Sequence, residues 1–171
     1  DAPPAMGRLL VAWSAAGGIA PETAIDLCAL RGRLMAREAA AHPGGMVALA
    51  TSDPDAIDEA LAVGRQAGAL CLAAHNAPDE TVLSGDEPAI RAVLAFAPGK
   101  TTRVPTAGPW HSPAMEGALS AWRQALHETA SHPPTCEFVA NRTGRPRIFR
   151  QIPPVPIPGR VDCRVRPVCT H

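Results

Sequence analysis

Two residues in this chain are placed to do chemistry. His111 stands between Trp110 and the dipeptide Ser112-Pro113. Ser112 reads as a helix N-cap and Pro113 as the first helical residue. The positive end of a helix dipole disfavours an imidazolium, so a neutral imidazole is expected near pH 7. Such a group suits a general base. The other reading is a histidine that only packs or caps the turn. Arg31 is the second residue. Ala24, Leu27, Cys28, Arg31, Leu34 and Met35 share one face at helical spacing, whereas Arg33 points away. A guanidinium in an apolar stripe needs a partner. That partner is a bound carboxylate or phosphate, or else a buried structural ion pair. The serines offer less. Ser14 falls in an apolar helix, Ser112 reads as a cap, and Ser84 precedes a glycine read as a turn. None lies on a strand-to-helix elbow, so none is assigned as a nucleophile.

The elements that position these residues follow from pattern. Residues 1–8 are Pro-rich and read as irregular. Residues 9–16 read as a helix stopped by Gly17-Gly18. Pro21 opens a second helix. After His42-Pro43-Gly44-Gly45 the chain alternates. A strand at 46–50 leads to a helix capped by Asp53. Strands at 69–74 and 81–84 flank a turn at 76–80. Asp86 caps a helix running through Phe96, and residues 101–106 form a last strand. The order βαββαβ is the ferredoxin-like split. A Gly108-Pro109 corner then delivers His111 to an amphipathic helix over 112–130. A short strand at 137–140 and a turn at 141–144 follow. From Arg145 on the pattern fails, with five prolines after Ile152. The weak alternation at Val161, Cys163 and Val165 suggests at most a short strand. This stretch reads as an irregular tail, disordered or translated out of frame, in preference to a nucleic-acid or docking arm.

Composition bounds the rest. The chain has 171 residues, 46% of them hydrophobic, with no Tyr, three Trp and three Phe. Formal net charge is zero but uneven. Residues 142–171 hold seven Arg against Asp162 alone, and the body is correspondingly acidic. An acidic body without an aromatic platform argues against nucleic-acid binding. Five cysteines with no CxxC pair read as reduced thiols, with Cys28 and Cys71 in the core. The N-terminal residues lack a signal-peptide layout, and no apolar run is long enough for a membrane span. The expectation is a cytoplasmic protein without membrane contact and without a metal site.

Five stretches then resemble one family in order and spacing. WHSPAM at 110–115 is similar to the catalytic-histidine motif FHSPLM of malonyl-CoA:acyl-carrier-protein transacylases and polyketide-synthase acyltransferase domains. Residues 13–35 resemble the helix pair that follows the family's nucleophile. PGGMVALA (43–50) resembles its PGGMxA strand, AHNAPDETVLSGD (74–86) its hairpin, and FVANRTGRP (138–146) its S/A-N-x-T-G-x-P segment. The resemblance implies an α/β fold with an α+β small lobe. A ferredoxin-like βαββαβ subdomain would join helices of an incomplete α/β-hydrolase-like large lobe. The implied layout is a helical remnant at 1–42, the small subdomain at 43–107, a return to the large lobe at 108–146, and the tail at 147–171.

The same resemblance implies site residues and partners. His111 would be the base that activates a serine for attack on an acyl-CoA thioester. Arg31 would pair with the malonyl carboxylate. Trp110 and Asn76 would line the substrate site. The acyl group would pass to the phosphopantetheine thiol of an acyl carrier protein, in fatty-acid or polyketide synthesis, with no cofactor of the enzyme's own. The sequence departs from the family at the nucleophile. Counting back from Arg31, the G-H-S-x-G serine falls on Met6 or Ala5, and neither can form an acyl ester. The chain as given is therefore expected to be an inactive fragment, completed by a missing N-terminal half or prone to self-association through uncovered helix faces. The alternative is a non-catalytic module that docks a carrier protein or a partner subunit.

Overall fold

The computed structural model describes residues 3–97, 99–136, 138–140 and 145–147. They form two compact units. One comprises the described residues up to Leu34 and from Ala118 onward; the other is Met35–Gly117.

The second unit is built on a four-stranded antiparallel sheet. Its strands are β1 (Gly44–Ala50), β2 (Leu70–Ala77), β3 (Glu80–Asp86) and β4 (Thr101–Val104), in the order β2-β3-β1-β4. This is the ferredoxin-like arrangement expected. Helices α3 (Pro54–Ala67) and α4 (Glu87–Phe96) make the two crossovers. Asp53 caps α3 as predicted, its Oδ1 accepting from Asp55 N at 3.0 Å with Pro54 opening the helix. Asp86 sits at the α4 cap position without a capping hydrogen bond. Its Oδ2 instead accepts from Ala69 N at 2.9 Å and ties the α3–β2 junction to β3. Both β2 and β3 run longer than their apolar runs suggested, because ladder pairing recruits residues 75–77 and Glu80 at the hairpin end and Gly85 and Asp86 at the other. The predicted turn at 76–80 shrinks to Pro78-Asp79, and Gly85 lies within β3 rather than in a turn.

Register decides the core. Val47 pairs with Leu83, and Leu83 also pairs with Leu72. With Leu49 and Leu70 they bury one sheet face against Ala60 and Leu61 of α3 and Ala89, Ile90 and Val93 of α4. Alternation would leave the other face wet. Yet Met46, Cys71 and Ser84, cross-strand neighbours on that face, are buried too. The corner after β4 covers them. Gly44 lies against Pro109, and Cys71 Sγ reaches the carbonyl of His111.

The first unit is helical. α1 (Pro3–Ala15) starts at Pro3 rather than Leu9, since proline is accepted in a first helical turn. It ends in a Schellman motif. Gly17 takes φ +76°, Gly18 N donates to Trp13 O and Gly17 N donates to Ser14 O. The helix α2 (Pro21–Ala41) contributes its stretch up to Leu34. Leu10, Ile19, Ala24, Leu27 and Leu34 pack with Ala118 and Trp122. Trp122 belongs to α5 (Leu119–Glu128). The predicted helix over 112–130 thus starts late. Pro113–Ala118 is a 3-10 helix, and the α-helix begins at Leu119. Strands β5 (Phe138–Ala140) and β6 (Arg145–Arg147) pair antiparallel. The irregular stretch therefore begins later than Arg145, because cross-strand bonding overrides its composition. The expected turn at 141–144, Glu137 and the tail from 148 lie outside the described residues. Among the described residues no helix is long and apolar enough to cross a membrane.

Candidate active site

The corner that presents His111 is assembled from short-range bonds. Trp110 N donates to Gly108 O at 2.9 Å, closing a three-residue turn on Pro109, where the ring already sets φ. Ser112 N and Oγ both donate to Pro109 O, at 3.4 and 2.7 Å. Ser112 Oγ also accepts from Ala114 N at 3.3 Å, the capping contact its sequence position predicted. Gly108 is buried against Ala39 of α2, where any Cβ would strike Ala39. Pro109 is fully buried.

Within this turn His111 takes φ +69°, and it is the one non-glycine with positive φ among the described residues. It is the third residue of the turn from Pro109 to Ser112, a position glycine usually fills when φ is positive. An L-residue in this region costs about 1–2 kcal/mol. Histidine is among the few side chains enriched there. The helix-dipole argument for a neutral imidazole loses force, because the segment after His111 is 3-10 and short. Sequence inspection could not reveal the strain, since WHSP carries no glycine at that turn position.

Arg31 lies in the helical unit, on the α2 face that also carries the buried Leu27 and Leu34. Its side chain is half-buried, and burial holds its guanidinium below the usual arginine value, with the nearby Cys28 thiol acting in the opposite sense. Among the described residues no carboxylate lies within ion-pair distance of it. The buried-ion-pair reading of this residue finds no partner there. Arg33 is exposed, as its helical position requires.

Trp110 and Asn76 belong, like His111, to the sheet unit. Trp110 is half-buried beside Gly108. Asn76 is exposed near the end of β2, and its Nδ2 donates to Glu80 Oε1 at 2.7 Å across the hairpin. His111 meets β2 at Cys71, five residues back, or about 16 Å at the rise of an extended strand. The structure does not bring Asn76 to His111. Behind the corner lies a cleft of about 570 Å³ lined by Arg65, Cys71, Ser84, Asp86, Ser112 and Ala114, among others. Two residues gain roles that the sequence did not announce. Cys71 was expected to be mere core, and Glu38, four residues past Leu34 on the apolar face of α2, is buried. Its Oε1 accepts from Arg37 Nε and Nη2 at 3.0 and 2.8 Å, and Arg37 Nη2 also donates to Gly117 O at 3.3 Å.

No family model matches the chain. Individual proteins do. The spectinabilin polyketide synthase system protein NorB of Streptomyces orinoci is 35% identical over 138 residues, covering 79% of this chain and 6% of that protein. The malonyl CoA-acyl carrier protein transacylase of Mycolicibacterium smegmatis is 31% identical over 140 residues, covering 80% of this chain and 47% of that one. The crystal structure of MCAT from Mycobacterium tuberculosis superposes with a TM-score of 0.70 at 30% identity, covering 81% of this chain and 45% of that chain. The chain belongs to the family of malonyl-CoA–acyl carrier protein transacylases and polyketide-synthase acyltransferase domains, and it has their mixed α/β fold. It spans about half the length of the transacylase relative and a small part of the polyketide synthase protein.

Proposed function

We propose that this chain supplies the general base and the carboxylate-binding arginine for transfer of a malonyl-type acyl group from CoA to the phosphopantetheine thiol of an acyl carrier protein. The observation that carries the reading is Arg31. A half-buried guanidinium on an apolar helix face, with no carboxylate within ion-pair distance among the described residues, is a site for an external carboxylate. Family membership supports the same assignment for His111. In the complete reaction the imidazole takes the proton of a serine hydroxyl as its oxygen attacks the thioester carbonyl. The CoA thiol leaves and a malonyl ester forms. The carrier thiol then displaces the serine, again with base assistance.

No serine falls where the family places its nucleophile, since Ala5 and Met6 occupy those positions. By itself the chain should bind malonyl-CoA without forming an ester. Added polypeptide bearing the G-H-S-x-G elbow should restore loading. The test is calorimetric binding of malonyl-CoA and acetyl-CoA to the 171-residue chain. Malonyl-CoA is expected to bind about tenfold more tightly, a difference of roughly 1.4 kcal/mol, and Arg31→Ala should erase the preference. Equal affinities in the unaltered chain would sink the carboxylate assignment. A covalent malonyl adduct on the purified chain would sink the claim that it lacks the nucleophile. Carrier-protein binding without any acyl-CoA binding would favour the docking-module reading instead. A cytoplasmic setting fits these substrates and belongs to the same proposal.

A further inference from the structure

The strained histidine needs an anchor outside its own turn, and β2 provides one. Cys71 is 5% exposed and sits in register with Ser84 in the β2–β3 ladder, so its sulfur has little freedom. Its Sγ lies 3.6 Å from the carbonyl oxygen of His111 and 3.4 Å from that of Ser84. Sulfur is a weak donor with long contacts. A single S–H proton here serves two carbonyls, one in the sheet and one in the corner. The bonds within the corner span at most three residues and set its local shape. The Cys71 contact spans forty residues and fixes the corner against the sheet. It acts on the one described residue whose backbone is both strained and placed at the family's base position.

We infer that Cys71 is a positioning residue for His111: its thiol holds the histidine carbonyl so that the backbone stays in the left-handed region and the imidazole keeps one direction. The inference rests on the reading of His111 as the base. A buried thiol otherwise behaves as a small hydrophobe, so a purely packing role predicts that valine serves equally well. A hydrogen-bonding role predicts that serine serves and valine does not.

The experiment uses isotopically labelled 171-residue chain. The three-bond HN–Hα coupling of His111, read together with the intraresidue HN–Hα NOE that separates positive from negative φ, reports its backbone angle. Cys71→Ser should keep the unaltered value, and Cys71→Val should lose it. If Cys71→Val does not fold, Cys71→Ala is read in the same way. In chain complemented with the nucleophile-bearing polypeptide, Cys71→Val should lower kcat for malonyl transfer on the order of tenfold, as small misplacements of a catalytic group do, with KM for malonyl-CoA unchanged. An unaltered coupling together with an unaltered NOE in the valine or alanine variant overturns the proposal. So does a serine variant as impaired as valine. Should His111→Ala leave transfer intact while Cys71→Val still shifts the coupling, the anchoring stands and the base assignment falls.

Discussion

At the scale of single residues, His111 trades stability for placement. Strained backbone persists only where its surroundings over-determine it, and it clusters at functional sites. The trade is measurable. His111→Gly should be more stable than His111→Ala by about 1 kcal/mol, because only glycine adopts φ +69° without a Cβ penalty. Chemical denaturation of the two variants reads the difference directly, and an alanine variant at least as stable as the glycine one would show that the corner relaxes. A second residue-scale expectation concerns Glu87. Arg103 Nη1 donates to its Oε1 at 2.8 Å, and Arg91 lies 3.9 Å away. The hydrogen bond from Arg103 is the largest influence holding this carboxyl below the usual range, with burial opposing it and the charges of Arg103 and Arg91 adding to it. A depressed folded pKa gives stability that is present above the unfolded value and lost as pH falls through the folded one. The carboxylate is partly open to solvent, so the effect is small and screened. Glu87→Gln should slightly flatten the acid side of the stability–pH profile, and about 1 M salt should do the same to the unaltered chain. A steeper acid limb in the variant would contradict this.

At the scale of elements, the sheet unit depends on how closely α3 approaches β2 and α4. Gly64 marks that approach. A Cβ there would strike Leu70 Cδ2 and crowd Val93 Cγ2. Helix propensity alone favours alanine at this position by up to about 1 kcal/mol. Overpacking a filled core costs about 1–3 kcal/mol. Leu70 and Val93 are buried and have little room to yield, so packing wins and Gly64→Ala should destabilise the protein in thermal melts. Ile90 is fully buried in the same layer. Ile90→Ala should cost about 2–5 kcal/mol through lost transfer energy and the cavity left behind. The corner at residues 108–115 explains why β3 is buried along nearly its whole length. Its second face is roofed by that corner instead of meeting water.

At the scale of the molecule, the two units differ in self-sufficiency. Residues 35–117 hold a sheet, two crossover helices and a closed core. Expressed alone, this segment should melt cooperatively with the secondary-structure content it has in the full chain; a non-cooperative melt would show that it leans on the rest. The helical unit has a smaller core and leaves Val11 and Ile25 more than 60% exposed on α1 and α2. Exposed branched aliphatics on neighbouring helices favour association. Sizing the full chain across a concentration series should show self-association, which Val11→Lys and Ile25→Lys together should reduce. A strictly monomeric parent would overturn that expectation.

Much of this protein was legible from sequence because much of it is local. The βαββαβ order, the Asp53 cap, the Gly17 stop and the α2 face carrying Arg31 all rest on periodicity and capping within a few residues. The family motifs added the expectations of a base at His111, of a carboxylate partner for Arg31 and of no serine at the elbow position, and homology then established the family. Tertiary structure decided what depends on contacts distant in sequence. Ladder pairing lengthened β2 and β3 and drew Arg145–Arg147 into a strand. Packing of Gly108 against Ala39 and the bonds to Pro109 shaped the corner in which His111 is left-handed. The fold brought the Cys71 thiol to the His111 carbonyl across forty residues. Periodicity within a segment registers its neighbours along the chain, and it cannot register a partner that only the fold brings near.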